Sequence, residues 1–177
     1  TTSNTYSGES CHTFCKSIAH CVGPIILFNN MFPKRTNQEI LKHFISFYRN
    51  LLSARQLSDD AHDWEIDMGL STTTQYIDTK KLAHQSRYTP VTNLLFKILY
   101  HAQKHVTWKN QHKISREDLN EIFKQKVLRK IFDTMRGYSN DALINMSELR
   151  DYMPKGLVPY WMDKIKKYKK GISHAML

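Results

Sequence analysis

Apolar side chains recur three and four residues apart over long stretches of this chain and rarely alternate, a pattern that predicts an all-α fold. The clearest stripe is Leu41, Phe44, Ile45, Phe47, Tyr48, Leu51 and Leu52. It belongs to a helix expected to start at Thr36, an N-cap with Glu39 three residues later as a capping box. The helix should run to about Met68, where Gly69 closes it. Upstream, an apolar-rich stretch over 10–31 is interrupted by Gly23-Pro24, which predicts a kink, and Pro33 ends it.

Residues 70–88 are polar and lack a sustained stripe, so they are expected to form a loop. A helix should start near Pro90 and reach about Trp108. Another is capped by Ser115, with Asp118 in the third helical position, and should end near Arg136 with Gly137 as its terminator. A short turn is expected at Ser147–Met153. The last segment sets Trp161, Ile165, Tyr168 and Ile172 on one face among Lys164, Lys166, Lys167, Lys169 and Lys170, an amphipathic basic helix. No strand signal stands out.

Composition narrows the class. At 177 residues and 41% hydrophobic, the chain can bury an ordinary core, and one domain over 10–177 is expected behind a disordered or linker segment at 1–9. Thr1–Ser10 carries neither an initiator Met nor a signal-peptide core, which suggests a start inside a longer protein. Lys and Arg outnumber Asp and Glu by 26 to 16, a balance that favours anionic partners. Cys11, Cys15 and Cys21 fit reduced thiols and a cytoplasmic setting, and with His12 or His20 they match no zinc-finger spacing.

Against this basic background one acidic cluster stands out. At 100° per residue, Gln56, Asp59, Asp60, Asp63 and Asp67 fall within an arc of about 100° on one helix. Like charges at i,i+3 and i,i+4 repel by a few tenths of a kcal/mol per pair, so a compensating cation is expected there. All-oxygen ligands point to a hard divalent ion, Mg²⁺ or alternatively Mn²⁺, that completes its shell with water and substrate phosphate. An EF-hand is excluded, because the sixth position counted from Asp59 or Asp60 is Trp64 or Glu65 rather than Gly. The bland counterpart is a solvated acidic turn.

Gln56-Leu-Ser-Asp59-Asp60-Ala-His-Asp63, continued by Trp64-Glu65 to Asp67, resembles the second aspartate-rich motif of the class I all-α isoprenoid synthases, the trans-prenyl diphosphate synthases and their squalene- and terpene-synthase relatives. Lys16-Ser17, ahead of the break at Pro24, is similar to the Lys-Thr dipeptide of the preceding family helix. The resemblance covers about residues 10–69. It implies a partial helical bundle of the isoprenoid synthase type that ionises an allylic diphosphate, with Asp59, Asp60, Asp63 and Asp67 as metal ligands. Lys16, Gln56 and Arg49 would be the diphosphate-binding groups. His62 and Trp64 leave the arc and are expected to pack.

The family binds its metal between two acidic motifs, and this sequence carries one. The first motif is therefore expected in a missing N-terminal half, in the same or another chain, or else the chain is a degenerate half that binds without catalysing. Asp133, Asp141 and Asp151 are read as surface acids. The expected partners are an isoprenoid diphosphate, that missing half, a membrane surface touching 161–172, and a second copy of the chain in a homodimer. The alternative is a non-catalytic basic helical module that binds nucleic acid or an acidic membrane surface.

Overall fold

A computed structural model describes residues 23–27, 29–31, 38–71, 73–105 and 113–174, with side chains described except at 102–105 and 172–174. The described chain is predominantly helical. Residues 23–27 and 29–31 are helical, whereas Thr36, Pro33 and the stretch leading to Gly23 lie outside the described residues. The numbered elements are α1 (Gln38–His62), α2 (Trp64–Asp67), β1 (Tyr76–Asp78), α3 (Thr79–Gln85), α4 (Pro90–His105), β2 (Lys113–Ser115) and α5 (Arg116–Ile122). A π-helical segment at Phe123–Leu128 leads into α6 (Arg129–Glu148), and α7 (Leu157–His174) follows. Among the described residues no helix is long and apolar enough to cross a membrane.

The chain divides into two compact units, one of residues 1–56 and 134–177 and one of residues 57–133. In the first, Phe47 of α1 packs with Ala142 and Met146 of α6 and Val158 and Ile165 of α7. Phe44 and Ile40 join Leu149 in an adjoining cluster. Each Phe, Met, Leu, Ile or Val side chain so enclosed contributes about 1.5–3 kcal/mol. Polar links tie the same helices together. Asn145 Nδ2 donates to Asp141 O at 2.8 Å, so its Oδ1 is left to accept from His43 Nδ1 at 3.1 Å. Tyr168 Oη donates to Ala54 O at 3.0 Å. Of the apolar face foreseen for the last helix, Ile165 is buried and Trp161 and Tyr168 are half-buried, while the side chain of Ile172 lies outside those described.

The second unit is built around Trp64 of α2, which stacks on Phe123 with ring centroids 4.1 Å apart and planes 11° from parallel. Leu95, Leu119 and Val127 are fully buried in the same unit. Leu119, Phe123, Val127 and Ile131 are all buried at a strict spacing of four. In an α-helix that spacing drifts by 40° per step, or about 120° over the run. The i→i+5 bonding of the π segment takes more residues per turn and offsets the drift, keeping one face inward.

Helix ends follow their local chemistry. Ser115 Oγ accepts from Asp118 N–H at 3.1 Å and donates to the Asp118 carboxylate at 2.7 Å, the expected cap. Thr89 caps α4 ahead of Pro90: its hydroxyl accepts from Thr92 N–H at 3.2 Å, while Thr92 Oγ1 accepts from Thr89 N–H at 2.9 Å. Thr stands here in the position that Glu or Gln usually fills in a capping box.

Three expectations change. Residues 70–88 are not all loop: Tyr76–Asp78 pairs antiparallel with Lys113–Ser115, Ile77 opposite Ile114, and Asp78 caps α3 through Lys80 and Lys81 N–H. Strands this short carry too few residues for an alternating pattern to show. Gly137 does not end a helix, for α6 runs through it to Glu148, carried by the buried face of Met135, Ala142 and Met146. His62 is exposed rather than packed, whereas Trp64 is buried as expected.

Candidate functional site: an acidic bend in the second unit

The helix that carries the acids is not straight. α1 stops at His62, Asp63 adopts φ −92° and ψ 10°, and α2 follows directly. Helical bonding persists across the bend, with Asp63 N–H donating to Asp59 O at 3.0 Å and Asp67 N–H to Asp63 O at 2.9 Å. Asp59 and Asp63 thus remain neighbours one turn apart. The end is a Schellman closure: Leu70 N–H donates to Glu65 O at 3.0 Å, Gly69 N–H donates to Ile66 O at 2.9 Å, and Gly69 sits at φ +67°.

Burial splits the acids into two pairs. Leu57, Asp60, Trp64, Asp67 and Met68 are buried and share one helical face, so Asp60 and Asp67 lie at the edge of the apolar stripe. Asp59 and Asp63 are exposed. Among the described residues, no three His, Cys, Asp or Glu side chains are grouped so as to hold a metal ion. The four predicted carboxylates therefore do not converge as one ligand set.

The cations that meet this segment were not legible in the sequence. Arg87 donates its backbone N–H to Asp67 O at 2.6 Å and its Nη1 to Asp67 Oδ1 at 3.5 Å, while its side chain stays 77% exposed. Arg116 is half-buried, donating Nη2 to Glu65 Oε2 at 2.7 Å and Nη1 to Ser71 O at 2.6 Å. Its backbone N–H donates to Gln75 O at 2.9 Å. One guanidinium thereby pins α2 and the turn after it to the start of α5. These partners lie twenty and about fifty positions from the acids they meet, a separation that periodicity cannot bridge.

Arg49 is exposed and Gln56 half-buried, both in the first unit. Lys16, Cys11, Cys15, Cys21, His12 and His20 lie outside the described residues. Asp133, Asp141 and Asp151 are exposed, as expected of surface acids.

No protein-family profile, curated protein or solved structure matches this chain.

Proposed function

We propose that the acidic bend is a Mg²⁺-dependent site for an isoprenoid diphosphate, part of an enzyme of the class I isoprenoid synthase type. The observation that carries this reading is the pair Asp59 and Asp63, exposed one helical turn apart inside the Gln56-x-x-Asp59-Asp60-x-x-Asp63 pattern. Two carboxylates suit Mg²⁺, which binds through one or two protein oxygens and takes its other ligands from water and phosphate. A cage of three or more side chains is not required for that mode. Mg²⁺ held there would offset negative charge on a departing diphosphate.

The chain's own residues have distinct parts in this reading. Asp59 and Asp63 would hold the ion, and buried Asp60 and Asp67 set the position of the turn that presents them. Arg87, exposed and anchored by its backbone to Asp67, reaches the anionic ligand from the same unit. Calorimetry with Mg²⁺ and pyrophosphate tests the proposal. Wild-type protein should bind the pair together more tightly than either alone, and equal heats from an Asp59→Ala/Asp63→Ala variant would sink the assignment.

A second reading, a non-catalytic basic module, is favoured by the exposed lysines of α7, Lys164, Lys166, Lys167 and Lys170. Asp163 pairs with Lys167 at 2.8 Å and holds its ammonium above the ordinary lysine range, but the other three extend the positive face. Binding to a DNA duplex or anionic vesicles that weakens steeply with salt would support it.

A further inference from the structure

The first unit holds a cavity of about 290 Å³ between α1 and α7, close to the lower end of small-molecule sites at roughly 300 Å³. Its aliphatic wall is Leu51, Leu52 and Ile165. Three aromatic side chains, Tyr48, Trp161 and Tyr168, complete the lining. Trp161 is held edge-on to Phe47 with centroids 5.7 Å apart, and Tyr168 by its hydrogen bond to Ala54 O, so the walls are set by packing.

The only charged groups lining the cavity among the described residues are Arg55 and Lys164, both exposed. Lys164 Nζ lies 5.4 Å from the Tyr160 ring centre, and neither cation has an acidic partner among the described residues. We infer that this cavity binds a single-chain amphiphile with an anionic head, a fatty acid in the simplest case. The alkyl chain lies against Leu51, Leu52, Ile165 and Trp161, and the carboxylate lies with Arg55 and Lys164.

Other occupants fit less well. Both walls are helices whose backbone groups bond internally, which leaves no edge for a peptide strand. The Tyr168 hydroxyl already donates to Ala54, so little remains to read the polar edge of a base. An apolar chain needs no such partners, and burying it releases about 0.8 kcal/mol per CH₂. Arg55 and Lys164, which have no acidic partner among the described residues, supply what its head group requires.

Calorimetry with dodecanoate, below its micellar concentration, tests the inference on the intact chain. Saturable one-to-one binding is expected, weakened about tenfold in Arg55→Ala/Lys164→Ala, with dodecanol bound as weakly by the wild type as dodecanoate is by that variant. Both cations are exposed, so their loss should leave the far-UV circular dichroism unchanged. Leu52→Trp, which fills the cavity, should abolish the heat. No saturable binding, equal affinity for dodecanol and dodecanoate, or undiminished binding by Leu52→Trp would each overturn the inference.

Discussion

Alanine at two glycines should move stability in opposite directions, and the signs follow from backbone geometry. Gly69 closes α2 at φ +67°, a conformation that costs an L-residue about 1–2 kcal/mol. A Cβ there meets Gln85 Cβ and O at 3.6 Å, ordinary contact, so the steric surroundings add nothing to that figure. Gly137 lies inside α6, and a Cβ there meets nothing within 4 Å. Alanine should stabilise that position by about 0.5–1 kcal/mol, because glycine loses the most backbone entropy in a helix. At roughly 2–4 °C per kcal/mol for a chain of this size, Gly69→Ala should lower the thermal midpoint by about 2–8 °C and Gly137→Ala raise it by about 1–4 °C. Circular dichroism at the helical band, with urea midpoints as a check, reads both. If Gly137→Ala destabilises as Gly69→Ala does, the helix ends at Gly137 instead of running on to Glu148.

Further expectations rest on single contacts. Trp64→Ala removes the stack on Phe123 and should destabilise by about 3–5 kcal/mol, seen as a shifted urea midpoint; a loss under 1 kcal/mol would mean that the stack does not anchor the second unit. Arg116→Ala removes the bonds to Glu65 and Ser71 and should cost about 1–2 kcal/mol, less than a buried pair would because Glu65 is 36% exposed. A double-mutant cycle with Glu65→Gln that shows no coupling would remove Arg116 as the pin. Ser115→Ala should cost about 1 kcal/mol by opening the α5 cap, and Ser115→Asp should recover most of it. Under the isoprenoid reading, residues 1–177 alone should release pyrophosphate from farnesyl diphosphate far below enzyme-like rates, since one acidic motif supplies only part of the charge stabilisation. Turnover at an enzyme-like rate would place the remaining ligands among the scattered acids.

What the sequence determined by itself was local. Helices with clear stripes and caps were legible because capping and periodicity act within a few residues: the Ser115–Asp118 cap, the Pro90 start and the Gly69 stop all stand where their chemistry requires. The spacing of the acids was legible for the same reason, but not that Asp60 and Asp67 are buried while Asp59 and Asp63 are exposed. The four-residue spacing of Leu119, Phe123, Val127 and Ile131 also fits an α-helical pattern loosely, so by itself it does not mark the π segment.

Tertiary structure decided the rest. Which glycine ends a helix depends on whether the following residues have a core to enter, and Ala142 and Met146 do, so Gly137 is passed over. Which acids face solvent depends on the bend at Asp63 and on what Trp64 finds to stack against, a ring fifty-nine positions away. The arginines that meet this segment, Arg87 at Asp67 and Arg116 at the neighbouring Glu65, are brought to it by the fold around a strand pair of three residues each. Such pairings join residues far apart in the chain by folding alone, and no pattern along the sequence records them.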